Sequence, residues 1–457
     1  MAMKKNRKKF SETLKWLYPN LGVKRYFLLA VFGIFLMALG LAVLSHGDIL
    51  SYLETHFREV IYFLTGRTKL FVIILGILTF FGGIVVICFG FKKMLTSVIN
   101  VLLPGNEDKV VDVIYARRQL KRGPKIVVIG GGTGLSTLLR GLKAYTSNLT
   151  AIVTVGDDGG SSGRLRRELG VLPPGDVRNC LVALAEKEDV MEDLFSYRFK
   201  SGTFEGHSLG NLFLAGLAER FGDFQKGIEQ VGKVFALKGE VFPSTLSQVT
   251  LEAYFEDGRS INGETAIRTT PGKIKYLKIS PADCEPLPGS LQAVEEADLV
   301  VLGPGSLYTS IIPNILVKGL RDKIVEAQAP CIYVCNIMTE PGETEGFTVA
   351  DHLRAIIEHG GQDLVDAVLA AKEEIPRPVL ERYLAEGAEK VRNDRMMVEK
   401  LGVSYFESTF YTGGEVVRHN PEILAKELLR LLFRLKPVPE RIALVDSYLL
   451  NRKLKEL

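Results

Sequence analysis

The sequence predicts an α/β protein whose mostly parallel sheet has helices on both faces and a small β-arm, preceded by two transmembrane helices. Two apolar runs, Tyr26–Leu44 and Leu70–Phe91, are long enough to cross a membrane. After them, short apolar runs alternate with helical patterns, as in βαβ units. Glycine-dense loops follow one another between Lys125 and Asn179. Such loops mark sharp turns or places where the backbone approaches a ligand closely.

The N-terminal segment predicts a membrane hairpin. A helix of either apolar run spans a hydrocarbon core of about 30 Å. A signal peptide is a poorer interpretation, because the first run is long and no small-residue cleavage site follows it. Eight Lys or Arg and one Glu precede the hairpin, whereas its loop has two Arg and three acids. The positive-inside rule therefore places the N-terminus and the domain after the hairpin in the cytoplasm.

The chain divides into four predicted regions. They are a basic cytoplasmic lead (1–25), the hairpin (26–93), a connector (94–123) and a globular domain (124–457). The formal net charge of +4 comes from the lead. The globular domain thus has no basic excess of the kind that binds nucleic acid. The five cysteines lack paired metal-ligand spacing, and we expect them to be reduced.

Within the connector, Pro104–Asp108 predicts a turn and Val110–Lys121 a short helix or strand. In the globular domain, continuous apolar runs predict buried parallel strands. The predicted strands are Lys125–Ile129, Thr150–Val155, Asp298–Leu302, Cys331–Ile337 and Asp363–Leu369. The predicted helices are Leu135–Tyr145, Asp176–Lys187, Ser208–Arg220, Asp223–Val234, Ile311–Ala327, Val349–His359 and Pro421–Leu435.

The β-arm is predicted from alternating polarity after the fourth of these helices. Leu246–Phe255 alternates, Gly258 marks a turn and Arg259–Ile267 follows as the second strand. Lys273–Ile279 is expected to extend the arm. We therefore expect a short antiparallel insertion in a protein that otherwise follows an α/β pattern.

The first glycine loop, Gly130–Gly134, joins a strand pattern to a helix pattern. Small residues there allow backbone N–H groups to face an anion at the helix N-terminus. The amino-acid sequence of this loop matches neither the strict dinucleotide-binding fingerprint nor a P-loop. Taken alone, the loop fits nucleotide binding or merely tight packing.

The second loop contains Asp157, Asp158, Ser161 and Ser162. The carboxylates could bind a ribose, hold a cation or act as a base, or they could cap a helix and face solvent. Adjacent side chains of a strand point to opposite faces, so at most one of the two acids is expected to enter a site. The serine hydroxyls could donate to phosphate.

The third loop places Asp176, Arg178 and Asn179 around a helix start. Asp176 is expected to be the N-cap, while the other two suit a phosphate or a uracil-like edge. Farther along, His207 and Asn211 follow a glycine-rich turn. The histidine fits a structural hydrogen bond as well as a ligand contact.

A fourth junction, with Gly303, Gly305 and Ser306, follows the strand predicted at Asp298–Leu302. Two strand–glycine–helix junctions suggest a ligand with a diphosphate, or two phosphate-bearing ligands. The sequence shows no Ser-His-Asp triad, zinc cluster or kinase signature, and no residue stands out as a nucleophile.

The order of these motifs resembles the YvcK-like gluconeogenesis factor family. The resemblance rests on Gly-Gly-Gly-Thr-Gly-Leu-Ser, Gly-Asp-Asp-Gly-Gly-Ser-Ser-Gly, Pro-Pro-Gly-Asp-Val-Arg-Asn, Gly-His-Ser-Leu-Gly-Asn-Leu and Gly-Pro-Gly-Ser-Leu-Tyr-Thr-Ser, and it runs from about Lys125 to about Leu435. This family is a sibling of CofD, the 2-phospho-L-lactate transferase. The resemblance implies a Rossmann-like CofD fold, binding of UDP-sugars such as UDP-N-acetylglucosamine, and a role in cell shape and wall synthesis during gluconeogenic growth.

Carried onto this chain, the family's diphosphate-binding loop falls on the first glycine loop, and the other motifs would line the same cleft. Arg418 and His419 look like a distal basic contribution. The residues expected to contact the ligand are Gly131, Gly132, Thr133, Gly134, Asp157, Asp158, Ser161, Ser162, Arg178, Asn179, His207, Asn211, Gly303, Gly305, Ser306 and Arg418.

Three functions remain open at this stage. The first is a UDP-sugar-binding regulator without turnover, in the cytoplasmic membrane of a bacterium. It would form a homodimer, and cell-wall synthesis proteins are its expected partners. The second is a CofD-type transferase, in which Mg²⁺ would offset the charge of the diphosphate. The third is an NAD(P)-binding oxidoreductase, although Asp157 lies farther from the first glycines than the ribose-binding acid of that fingerprint.

Overall fold

The computed structural model describes residues 23–44, 59, 62–63, 69–102, 118–372, 374–414 and 416–436. The chain forms two compact units, Met1–Arg117 and Arg118–Leu457. Most of the basic lead and of the hairpin loop, and the turn predicted at Pro104–Asp108, lie outside the described residues.

Two antiparallel helices form the described part of the first unit. α1 is Val23–Leu44 and α2 is Lys69–Leu102, and both contain segments long and apolar enough to cross a membrane. α2 extends nine residues into the predicted connector, because its apolar pattern continues and no helix-breaking residue intervenes before Pro104.

The two helices approach each other closely at glycines. A Cβ at Gly40 would lie 2.5 Å from the backbone nitrogen of Phe80, and one at Gly83 would lie 2.6 Å from that of Met37. Large apolar side chains, including Phe35 and Phe81, are exposed on the outward surface. Small residues between helices and apolar residues outside are typical of helices packed in lipid.

The second unit is built on a seven-stranded sheet. Its strand order is β10-β9-β8-β7-β1-β2-β3, and every pairing in it is parallel. The central strands are apolar and buried along their whole length, because helices cover both faces. The strands are β1 Ile126–Gly130, β2 Leu149–Val153, β3 Glu240–Pro243, β7 Leu299–Leu302, β8 Cys331–Val334, β9 Ala367–Ala371 and β10 Ser404–Ser408.

The chain order reverses at the centre of this sheet. β1, β2 and β3 follow one another toward one edge, whereas β7 to β10 follow one another toward the other edge. β1 pairs with β7 over Ile126↔Leu299 to Ile129↔Leu302. Ligands of doubly wound proteins bind beyond the carboxyl ends of the strands at such a reversal.

Fourteen helices of the second unit have defined bounds. They are α3 Gly132–Leu142, α4 Gly160–Leu169, α5 Gly175–Leu184, α6 Glu188–Ser196, α7 Leu209–Phe221, α8 Phe224–Phe235, α9 Glu264–Thr269, α10 Pro288–Glu295, α11 Ile312–Ile315, α12 Leu320–Glu326, α13 Val349–Gly360, α14 Arg377–Ala385, α15 Arg395–Lys400 and α16 Pro421–Leu435.

The β-arm is a three-stranded antiparallel sheet of order β5-β4-β6. Its strands are β4 Thr250–Phe255, β5 Ser260–Asn262 and β6 Ile274–Ser280. The expectation of an arm and of its third strand is confirmed. The predicted second strand, 259–267, is too long, because Gly263 adopts a positive φ of 95° and α9 begins at the next residue.

Ile311–Ala327 is not the single helix that the pattern predicts. A π-helical turn at Leu307–Ile311 leads into α11, and Gly319 separates α11 from α12. Gly319 has a φ of 84°, which ends regular helix geometry there. The sequence also missed β3 and β10, whose exposed charged residues hide the apolar pattern of a strand.

The cysteine prediction is confirmed for all five residues. Cys180, Cys284, Cys331 and Cys335 are buried and unpaired, and Cys88 lies unpaired on α2. Burial raises the pKa of the Cys331 and Cys335 thiols, so both are neutral at physiological pH.

Candidate functional site

The two principal glycine loops meet beyond the carboxyl ends of β1 and β7. A Cβ on Gly134 would lie 2.4 Å from the carbonyl oxygen of Pro304, and one on Gly305 would lie 3.2 Å from that of Gly131. The Asn314 side chain donates to the carbonyl oxygen of Gly130 at 3.2 Å and fixes the end of β1. Some of these glycines are therefore required for close backbone packing.

Other residues of the first loop face open space. Gly132 has a φ of 65°, and a Cβ there would meet no atom within 4 Å. Gly131, the N-cap of α3, is extended and supplies no side-chain cap, and Thr133 is exposed on the first turn. The start of α3 thus offers backbone N–H groups and a hydroxyl to an anion.

A cleft of about 400 Å³ opens in front of this helix start. Its lining brings together seven of the residues predicted from the sequence: Gly131, Gly132, Thr133, Gly134, Gly305, Ser306 and Arg418. Gly303 does not line the cleft. It has a φ of 77° and turns the chain at the end of β7, so its role is conformational.

The far wall of the cleft contains Asn336 and Glu340, which the sequence reasoning missed. The Asn336 amide donates to the Gly305 carbonyl and to Glu340 at 3.0 Å each, and Gly305 N–H donates to Asn336 at 3.2 Å. The Ser306 hydroxyl donates to the second oxygen of Glu340. These contacts hold the second glycine loop in place. Their residues follow β8, and that position at a parallel strand end was the available signal.

Arg418 and His419 differ in what they contribute. Arg418 is exposed at the cleft, whereas His419 is 9% exposed and its ring packs 5.3 Å from that of Phe410. Burial lowers the pKa of His419 to about 4. The expectation that His419 adds basic charge is therefore wrong, since the imidazole is neutral at physiological pH.

Asp176 is not the N-cap that the sequence suggested. It lies in the first turn of α5, after Pro174 at the cap position, and its carboxylate accepts the Gly132 N–H. Burial, together with the charge of Asp157, raises its pKa to about 6, against the bond from Gly132. Asp176 thus connects the first glycine loop to the acids of the second loop.

Asp157 and Asp158 have different partners. Asp158 accepts from the Thr265 backbone at 3.0 Å and from its hydroxyl at 2.6 Å, which fixes α9 beside the sheet. Asp157 accepts the Gly159 N–H at 2.9 Å and faces Glu264. Burial, and then the charge of Asp157, raises the pKa of Glu264 to about 8, so Glu264 holds a proton at neutral pH.

A second buried acid, Glu343, lies near Arg268 of α9. It accepts from the Tyr308 N–H at 3.0 Å and from the Thr309 hydroxyl at 2.8 Å. Arg268 of α9 lies 3.9 Å from Glu343 and 3.5 Å from Glu264. Burial and the neighbouring Glu340 raise the pKa of Glu343 to about 7.

The remaining predicted residues bind one another in a polar cluster beside α5 and α7. The Ser161 hydroxyl lies 2.9 Å from His207 Nδ1 and accepts from the Asn211 amide at 3.1 Å. Arg178 donates to Asn211 at 2.9 Å and to Asn179 at 2.8 Å. Burial lowers the pKa of His207, which favours a neutral ring. These residues do not line the 400 Å³ cleft.

Ser162 is a structural neighbour of the same loops. Its hydroxyl accepts the Gly175 N–H at 3.2 Å, which joins the start of α4 to the start of α5. Among the described residues, no three His, Cys, Asp or Glu side chains are grouped to hold a metal ion. A Mg²⁺ here would need phosphate oxygens of a ligand to complete its coordination.

The sheet order and the glycine cleft define a doubly wound α/β protein with a cleft at a glycine-rich helix start. The chain belongs to the CofD family and, within it, to the gluconeogenesis factors: the model of 2-phospho-L-lactate transferase CofD matches residues 126–411, and curated relatives carry the second name.

Among these relatives, a putative gluconeogenesis factor of a Nostoc strain is 47% identical over 92% of each chain. The gluconeogenesis factor of Bacillus subtilis is 44% identical over 68% of this chain and 98% of its own. A crystal structure of a UPF0052-family protein from Bacillus halodurans has 46% identity and a TM-score of 0.65, covering 67% of this chain and 99% of that one.

The share of each chain that is aligned distinguishes two kinds of relative. The Bacillus proteins match about two thirds of this chain over nearly their own full length. The putative gluconeogenesis factor of Clostridium acetobutylicum is instead 38% identical over 97% of both chains. The segment ahead of the CofD-like domain is therefore shared with some members of the family.

Proposed function

We propose that the protein is a membrane-anchored, cytoplasmic UDP-sugar-binding regulator of cell shape and cell-wall synthesis during gluconeogenic growth. The observation that supports it most is the helix start at Gly131–Gly134, which has no side-chain cap and faces a cleft beside the second glycine loop. The name gluconeogenesis factor, carried by the relatives, supports the metabolic context.

The cleft suits a diphosphate. Apart from the Gly132 N–H, which Asp176 accepts, the N–H groups and the helix dipole at the start of α3 favour negative charge. Thr133 adds a hydroxyl to the lining of the cleft, and Arg418 adds a cation. A volume of about 400 Å³ is in the range of small-molecule sites. We assign the diphosphate of a nucleotide sugar to the helix start, and the rest of the ligand to the wall formed by Asn336 and Val417.

Binding without turnover is the preferred form of this proposal. The Ser161–His207 pair resembles an activated nucleophile, but it lies outside the cleft lining and its serine also accepts from Asn211. Within the cleft, the Ser306 hydroxyl does donate to Glu340, but that carboxylate also accepts from Asn336, and we interpret these contacts as holding the second glycine loop in place. A ligand held there would report metabolite supply to protein partners, among which cell-wall synthesis proteins are our candidates, and we propose a homodimer as the assembly.

A CofD-type transferase is the second candidate. Its support is the family match over 126–411 together with the acids Asp157, Asp176 and Glu264 near the glycine loops. Incubating the protein with GTP-activated phospholactate, a deazaflavin and Mg²⁺ tests it. Formation of the transferred product would replace the regulator proposal.

Titration calorimetry of the full chain in detergent tests the main proposal. We expect saturable binding of UDP-N-acetylglucosamine and none of NAD. An absence of heat with every uridine nucleotide would contradict the proposal, and preferential binding of NAD would favour an oxidoreductase.

A Thr133→Asp variant tests the placement of the diphosphate. Its carboxylate would stand beside the phosphates at the helix start, and like-charge repulsion should weaken UDP-N-acetylglucosamine binding at least about 100-fold. Ser404→Asp, at the exposed start of β10, is the matched control and should bind as the wild type does. Equal affinity in the Thr133 variant would show that the ligand binds elsewhere.

A further inference from the structure

A second and larger groove lies at the end of the parallel sheet opposite the glycine loops. It encloses about 790 Å³ at the amino ends of β1, β2 and β3, between α8 and α10. The glycine loops and their cleft follow the carboxyl ends of the strands. This groove is therefore separate from the site proposed for the nucleotide sugar.

Three glutamates and an amide with an unpaired oxygen are among the polar residues of the groove. Gln225 is 9% exposed, and its side-chain oxygen is buried without a hydrogen-bond partner. Glu229 and Glu240 line the same groove, and neither carboxylate has a partner among the described residues. A buried acceptor left unpaired costs about 1–3 kcal/mol, so its presence points to a donor that arrives with a ligand.

An apolar wall faces these acceptors. The Phe242 ring lies against Gly289, where a Cβ would come within 2.7 Å of a ring atom. Glycine at this position leaves the ring uncovered toward the groove, and Leu287 and Ala293 continue the apolar surface. An aromatic ring beside carboxylates is a known way to hold an organic cation.

A peptide strand that pairs with the edge strand β3 is a less suitable occupant of this groove than a small molecule. β3 has four residues, begins with the exposed Glu240 and ends at Pro243. Short length, charge and proline are the features by which edge strands avoid pairing. The occupant is thus better sought among small molecules.

We propose that this groove binds a small organic cation with ammonium or guanidinium donors. The carboxylates of Glu229 and Glu240 would accept from the charged group. The Gln225 oxygen would accept a further N–H, and Phe242 would contact the aliphatic part. Lys125 does not oppose this, because its ammonium is paired with Glu296 at the rim.

Agmatine, which has both donor types and no carboxylate, is the probe for calorimetry on the full chain in detergent. We expect saturable binding that weakens about tenfold or more in the Glu229→Gln/Glu240→Gln double variant. Glu256→Gln, on the exposed part of the β-arm, is the matched control and should bind agmatine as the wild type does.

The Gln225→Leu variant distinguishes a loss of agmatine binding from a loss of folding stability. It removes the unpaired oxygen, so the thermal midpoint should hold or rise while agmatine affinity falls about tenfold. Absence of saturable agmatine binding at millimolar concentration would overturn the proposal. Unchanged affinity in both groove variants would overturn it as well, because any binding would then lie elsewhere.

Discussion

At the scale of single residues, Asp176 interacts with both the first and the second glycine loop. Its carboxylate accepts the first N–H of α3, and a Cβ on Gly131 would lie 2.7 Å from its oxygen. The bond fixes the position of Gly132 in the glycine loop. Burial of this carboxyl, together with the nearby charge of Asp157, raises the pKa of Asp176.

Asp176→Asn should stabilise the protein at alkaline pH. The pKa of Asp176 rises from 3.8 to about 6 on folding, so between these values the folded state holds a proton that the unfolded state has released. Stability therefore falls as pH rises through this window. Since the residue keeps some solvent contact, we expect a gain of about 1–2 kcal/mol at pH 8.

The gain should disappear at pH 4, where the wild-type carboxyl is protonated in the folded state. Thermal unfolding at both pH values measures the difference, with the exposed Asp283→Asn as control. An equal effect of Asp176→Asn at pH 4 and pH 8 would mean that proton binding is not its cause.

Sequence patterns identified the glycine positions but not the charge state of their neighbours. Thr133 and Gly305 follow apolar strand runs, and parallel strands bring such ends to one edge. The neutral state of His419 follows from burial against Phe410. The raised pKa of Glu264 follows from its burial and then from the charge of Asp157. Both depend on contacts between residues far apart in sequence.

At the scale of elements, α3 is held from two sides. Its start contacts the Gly303–Ser306 loop, while its C-terminal end packs on α16, where a Cβ on Gly141 would lie 1.9 Å from the Pro421 carbonyl oxygen. The C-terminal helix thus supports the helix that presents the anion site. The bounds of α16 were predicted correctly as Pro421–Leu435.

Gly141→Ala should destabilise the domain by about 1–3 kcal/mol, because α16 must move to admit the methyl group. Gly216→Ala, in the middle of α7, is the matched control: nothing lies within 4 Å of its Cβ, and alanine should stabilise that helix by about 0.5–1 kcal/mol. Urea denaturation followed by circular dichroism compares them. Destabilisation of equal size in both variants would contradict the close contact.

The element that the sequence missed at the site is α9. The pattern over 259–267 predicts a strand, so the sequence does not indicate Glu264 and Arg268 as site residues. They reach the acids because Asp158 accepts two bonds from Thr265 and holds α9 in place. A helix of six residues after a glycine turn is too short for its helical periodicity to be recognised from the sequence.

At the scale of the whole molecule, the N-terminal unit contains two helices that are long and apolar enough to cross a membrane. The glycines between α1 and α2 and the exposed phenylalanines outside them support our proposal of a hairpin in the membrane. We propose that the basic lead sets the orientation of this hairpin.

Cysteine labelling of intact bacterial cells tests this orientation. Ser51→Cys, between the two spans, should react with a membrane-impermeant maleimide, whereas Ser11→Cys, in the basic lead, should react only after lysis. Wild-type protein gives the background, since four of its five cysteines are buried and Cys88 lies in the second candidate span. Labelling of the Ser11 variant in intact cells would reverse the proposed topology.

The reversal of strand order at the centre of the sheet has a mechanical consequence. Within the described sheet, β1 to β3 are joined to β7 to β10 through the β1–β7 pairing alone. A ligand that contacts both Gly131–Gly134 and Gly305–Ser306 would link these two blocks across their seam. Its binding should therefore slow amide hydrogen exchange in β1 and β7 more than in the edge strands β3 and β10, because it opposes the opening of that seam.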